Sequence, residues 1–169
     1  ALMPWLTGTA FLHSVMIQEK RNMLKIWNVV LIITTFGLTI IGTFLTRSGI
    51  INSVHSFTQS EIGPAFLVYL AMVLIAGFAL LFKRIQMLES EYKIESVLCR
   101  ENVFLAQNIL LVGIAFTVLL GTTFPLLAEA VRGTKLSIQA PFFNTITAPM
   151  GYALLMLMGI GMLISWRRS

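Results

Sequence analysis

Residues 27–45 read WNVVLIITTFGLTIIGTFL, a run with no charged side chain. At 1.5 Å of rise per residue, such a helix is about 28 Å long, close to the ~30 Å hydrocarbon thickness of a bilayer. Inside lipid every backbone N–H and C=O must find its partner within the protein, which leaves only helices and closed barrels. The run is too long and too continuously apolar for a barrel strand, so it reads as a membrane-crossing helix. Working outward from it, residues 64–82, 103–127 and 147–166 are equally free of charge. The fourth-span stretch 103–127 is long enough to tilt or to end near Pro125, and Pro149 is expected near the start of the last span, where a missing N–H costs little. Residues 1–18 are also uncharged and count as a fifth span, truncated at its N-terminal end, whose beginning is expected to lie upstream. The expected fold is therefore all-α: a polytopic membrane helical bundle of about five transmembrane helices (about 1–18, 27–45, 64–82, 103–127 and 147–166), with loops at 46–63 and 128–146, forming one membrane region over 1–169.

Composition agrees. Of 169 residues, 57% are apolar and only 11% are charged, against about 25% charged in an ordinary soluble domain. Mean hydropathy is +0.86. A soluble core of this size would lack the charged coat to cover it, which excludes a water-soluble enzyme, a disordered chain and a collagen-like or disulfide scaffold. The single cysteine, Cys99, excludes an internal disulfide and a four-cysteine metal site. The net charge of +5 does not read as nucleic-acid binding, because no basic run is interleaved with aromatics.

The basic residues sort instead by loop. Lys20, Arg21, Lys25, Lys83, Arg84, Lys93, Arg100, Arg167 and Arg168 fall on one side of the spans, and only Arg47, Arg132 and Lys135 on the other. Nine against three is a positive-inside bias. It turns the N-terminus and the loops 46–63 and 128–146 outward and the C-terminus toward the cytoplasm. The inner loop 83–102, with Glu89, Glu91, Lys93 and Glu95, reads as a short solvated or interfacial helix.

Chemistry has few places to sit. His13 lies five residues before Gln18 and so about 8 Å into the membrane. An ionisable residue at that depth faces a bundle interior or a cavity and is a functional candidate by default; the alternative is a neutral imidazole bonded to a neighbouring helix. His55 falls in the outer loop 46–63, where Ile50, Val54 and Phe57 recur at helical spacing among Ser48, Asn52, Ser53 and Gln59. That pattern suits a short amphipathic helix on the outer membrane surface, with a plain loop histidine as the alternative. The two histidines are set apart by most of the bilayer, about 20 Å or more, and cannot share a metal whose ligands stand at about 2 Å. Each needs its partner ligand from elsewhere, a demand that haem tolerates because the porphyrin supplies four nitrogens itself. Arg47, eight residues before His55, can face an anionic group such as a haem propionate or anchor its helix among headgroups. Thr35, Thr39 and Thr43 with Gly42 form a small polar face suited to close helix packing, and Gln107 and Asn108 are placed for interhelical hydrogen bonds. Cys99 reads as inert.

The runs MPWLTGTAFLHS (3–14), EKR (19–21), KIWN (25–28), GTFLTRSGIINSVHSF (42–57), RENVFLAQNILL (100–111), LLGTTFPLL (119–127) and PFFNTITAP (141–149) closely resemble the CcmF family, the large membrane subunit of the bacterial cytochrome c haem lyase. The resemblance covers essentially the whole chain, and its most specific part is the buried LHS paired with the outer RSG…SVH. It implies an inner-membrane enzyme that takes haem from the chaperone CcmE and attaches it to the CXXCH cysteines of apocytochrome c on the outer side. It further implies haem b as cofactor, membrane lipid, quinol and accessory lyase subunits such as CcmH and CcmI as partners, and no nucleic acid. By the resemblance, His13 is one axial ligand of a permanent haem b and His55 one ligand of the substrate haem in the catalytic site. A related lyase that serves nitrite reductase shares the pattern, and a structural subunit without activity is a further alternative. Family members are longer. Their tryptophan-rich outer segment and the partner histidines of both haems do not occur in these 169 residues, so the chain is expected to be a central piece that is inactive alone.

Overall fold

The computed structural model describes residues 2–47, 63–89, 99–133 and 138–164. All regular structure among them is helical: α1 (Leu2–Arg21), α2 (Lys25–Arg47), α3 (Gly63–Lys83), α4 (Arg100–Arg132) and α5 (Ala140–Leu163), plus a 3-10 turn at Ile85–Leu88. By length and composition, α2, α3, α4 and α5 are each able to cross a membrane. The expected short helices around His55 and over 90–98 lie outside the described residues.

The helices pack in the order α3, α2, α1, α4, α5, each against the next. The helix with the most polar sequence thus stands in the middle. The seam of α1 is Met3, Leu6, Thr7, Ala10, Ser14 and Ile17, all buried and spaced by three and four residues, as one helix face requires. Leu6 and Ala10 meet Leu31 of α2 and Leu111 and Ala115 of α4 in the hydrophobic core, with Phe11, Trp27, Val112, Ile114 and Leu154 around it. The opposite face of α1 carries exposed Leu2, Trp5, Leu12 and Met16.

Adjacent helices run antiparallel. Gln18 accepts a hydrogen bond from Asn28 near one end of the α1–α2 pair, and Thr35 donates to the hydroxyl of Thr7 at 2.8 Å further along. Gly37 admits Leu70 and Leu74 of α3, while Gly77 admits Ile33 of α2. On the other flank Gly161 of α5 faces Val103 and Gln107, and Gly121 of α4 faces Phe143. The turn between α1 and α2 is only Asn22–Leu24, and it is made tight by positive φ at Asn22 (53°) and Leu24 (63°). As a consequence Lys20, Arg21, Lys25, Lys83, Arg84 and Arg100 gather at one end of the bundle, and Arg47 and Arg132 stand at the other.

Two boundaries differ from the sequence expectation, and one proline explains each. α4 continues through Pro125 to Arg132 and stops at Gly133, whose φ of 66° and N–H bond to Glu129 O cap it. Pro125 costs the helix one backbone bond, a loss that packed apolar helices tolerate. α5 starts at Ala140 because Pro141 occupies its first turn, where the fixed φ of proline suits a helix start. Pro149 consequently lies inside α5 and not at its beginning, and helix occupies much of the stretch 128–146.

Candidate functional site

His13 projects from α1 at the border between its buried seam and its exposed apolar stripe. Its ring lies 5.2 Å from that of Phe104 on α4, tilted by 35°, and the Asn108 amide lies beside it within polar range. Phe104 and Asn108 are one helical turn apart, so the imidazole sits against a single patch of α4. Further along the same seam Arg21 meets Glu101 at 3.0 Å, and Leu6 and Ala10 meet Leu111 and Ala115; the antiparallel register is what brings His13 to Asn108.

The hydrogen bonding around this patch is incomplete. His13 Nδ1, Ser14 Oγ and both amide atoms of Asn108 are enclosed without partners, while Ser14 and Asn108 are each 0% exposed. Buried polar groups are nearly always paired, because an unmet one costs about 1–3 kcal/mol. Asn108 thus reaches across the seam to His13 of α1, as its expected interhelical position requires, but without a well-formed hydrogen bond there. Gln107, also buried, points its amide toward Gly161 of α5.

The patch suits an iron porphyrin. Nδ1 is the enclosed nitrogen, and a ligating histidine uses its second nitrogen for a hydrogen bond inside the protein. Exposed Leu12 and Met16 on the neighbouring stripe of α1 offer an apolar rim. Among the described residues no three His, Cys, Asp or Glu side chains converge, and His13 is the one histidine.

Of the other expected site residues, Arg47 is exposed at the last turn of α2. The α1–α2 register puts His13 roughly sixteen residues from Arg47 along that helix, about 25 Å, and the structure does not bring the two together. His55 lies outside the described residues. The threonine face of α2 is only partly an interface: Thr35 binds Thr7, whereas Thr39 and Thr43 turn back to the carbonyls of Thr35 and Thr39, and Gly42 has open space around it. Close packing falls to Gly37 instead. Cys99 is a buried thiol outside any disulfide, and it precedes the first turn of α4. Sequence reasoning did not single out Ser14 or Phe104 as neighbours of the site; the i, i+4 pair Phe104–Asn108 on an uncharged helix was the available signal.

No family profile matches the chain. Individual proteins do. The cytochrome c-type biogenesis protein CcmF of Pseudomonas fluorescens is 37% identical over 99% of this chain and 25% of its own length. CycK of Rhizobium meliloti, also a cytochrome c-type biogenesis protein, is 41% identical over 100% of this chain and 25% of its length. The probable cytochrome c-type biogenesis protein NrfE of Escherichia coli follows at 33%. A solved cytochrome c haem lyase CcmF superposes with a TM-score of 0.72 at 37% identity, over 99% of this chain and 23% of that one. The chain thus spans about a quarter of the length of the relatives it matches. Its apolar helices and this likeness make it a multi-pass membrane protein. From end to end, in sequence and in fold, it is the counterpart of about one quarter of a CcmF-type cytochrome c biogenesis protein.

Proposed function

We propose that this chain is the haem-holding membrane part of a cytochrome c haem lyase of the CcmF type. The observation that carries the reading is the whole-chain match to CcmF proteins together with an imidazole whose enclosed nitrogen has no partner between α1 and α4. Identity to the CcmF and CycK relatives, 37–41%, exceeds the 33% to NrfE and favours general cytochrome c maturation over nitrite reductase maturation.

In this reading His13 would hold haem b together with a histidine outside these 169 residues. Haem b, when bound, provides a one-electron couple within the membrane, fed by quinol. His55 holds one side of the substrate haem on the outer surface, with Arg47 near its propionates. The haem comes from CcmE and goes to the cysteines of apocytochrome c, with CcmH and CcmI as accessory subunits. The clustering of basic residues at the Arg21 end supports a cytoplasmic placement of that end, in the bacterial inner membrane.

The test is His13→Ala in the full-length protein, purified in detergent and examined by absorption. Loss of the bis-histidine haem b bands is expected. An unchanged haem content would end the assignment.

A further inference from the structure

His13 Nδ1 and the side-chain amide of Asn108 are both enclosed without a well-formed partner, and the amide lies beside the imidazole across a helix seam. An imidazole Nδ1–H is a donor and an amide oxygen an acceptor, so each supplies what the other lacks. Asn108 is fully enclosed and both its amide atoms are unpartnered. A buried asparagine whose amide makes no well-formed bond is a costly occupant of an apolar helix, which calls for a role that packing does not give. Leucine would fill the position at no such cost.

We infer that Asn108 is the positioning residue of His13: its amide oxygen accepts the Nδ1 proton, fixing the tautomer that leaves Nε2 free and setting the ring's rotation about Cβ–Cγ. Ser14, one residue along α1 with its hydroxyl also unpartnered, is the available partner for the remaining amide N–H groups, directly or through one buried water. The bond does more than orient. Accepting the Nδ1 proton raises the electron density of the imidazole, and a more basic ligand stabilises the oxidised iron over the reduced one. Asn108 therefore lowers the reduction potential of the iron that His13 holds.

This inference rests on the haem-ligand role of His13, and the experiment separates the two. Full-length protein carrying Asn108→Leu or Asn108→Ser is reconstituted in nanodiscs beside the unsubstituted protein and His13→Ala. Haem content and midpoint potential are read for each. Haem absent from the unsubstituted protein, or retained in His13→Ala, overturns the ligand role and the inference with it. With that role standing, Asn108→Leu is expected to keep haem at roughly tenfold weaker affinity and to shift the potential upward. Asn108→Ser, which retains an acceptor, falls between the two. A potential in Asn108→Leu equal to or below that of the unsubstituted protein overturns the inference alone. If the leucine variant does not accumulate, an experimental structure of the unsubstituted full-length protein decides. An Asn108 Oδ1–His13 Nδ1 distance of about 3.2 Å or less supports the bond, and a clearly longer one overturns it.

Discussion

Arg21 Nε stands 3.0 Å from Glu101 Oε1, joining the last turn of α1 to the first turn of α4 across 80 positions of sequence. The pair fixes the antiparallel register that sets His13 against Phe104 and Asn108. Each charge also suits its own helix, since an acid belongs in a first turn and a base in a last one.

Breaking this pair from one side leaves Arg21 facing the place of its lost carboxylate. The Arg21 side chain keeps 26% exposure and the Glu101 side chain 9%, so water screens part of the cost. We expect Glu101→Ala to lower stability by roughly 1–2 kcal/mol, short of the loss for a fully buried pair. Arg21→Met with Glu101→Leu together should cost less than Glu101→Ala alone, because no lone charge remains. Thermal unfolding in detergent of the two variants tests the order, and a double variant less stable than the single one contradicts it.

The glycines of α4 are not equivalent. A Cβ at Gly121 runs into the ring of Phe143, and that ring is held edge-on to Phe142 at 5.4 Å. At Gly113 the added carbon meets only the terminal methyl of Met150, the flexible end of an unbranched side chain. Gly121→Ala is therefore expected to destabilise by about 1–3 kcal/mol through overpacking. Gly113→Ala should be near neutral, because Met150 yields and alanine gains about 1 kcal/mol of helix propensity. Matching melting temperatures for both variants would show that α5 is not held by this contact.

How far the sequence carried can be judged from such positions. Charge-free runs announced the helices because lipid leaves the backbone no other solution, and the LHS motif marked His13. The neighbours of His13 were not legible. Which face of α4 meets α1 depends on a register set by Arg21, Glu101 and the small Ala10 and Ala115, and no periodicity within one helix contains that information. The same limit misled the reading of α2. Thr35, Thr39 and Thr43 share a face, but the crossing of α1 covers only the first of them. Pro149 falls inside α5 because the start signal is Pro141, six residues before the expected boundary at 147, in a stretch without charge to mark an end.

The Thr35–Thr7 bond is the polar link between α1 and α2 at the core. Thr35→Val removes the donor while keeping the shape, and the Thr7 hydroxyl still donates to the carbonyls of Met3 and Pro4, each at 3.3 Å. The loss should be about 0.6 kcal/mol, typical of interhelical hydrogen bonds in membranes. Thr39→Val, whose hydroxyl serves only its own helix at 2.9 Å, should cost less. Parallel unfolding of the two variants measures the difference, and a larger loss at Thr39 would refute the assignment of Thr35 as the interface residue.

Separate roles for His13 and His55 make the last prediction. The two belong to different haems in the proposed reading, so their substitutions should fail in different ways. In full-length protein, His55→Ala is expected to keep the haem b spectrum and to stop maturation of a reporter cytochrome c, whereas His13→Ala loses the spectrum itself. Arg47→Lys keeps the charge but not the planar, forked donor set that matches a carboxylate. It should weaken retention of the substrate haem and leave haem b untouched, since about 25 Å of helix lies between Arg47 and the level of His13. The measurement is paired absorption spectra and haem-stained reporter yield for the three variants. If maturation proceeds unimpaired in His55→Ala, that residue holds no substrate haem, and Arg47 loses its proposed role with it.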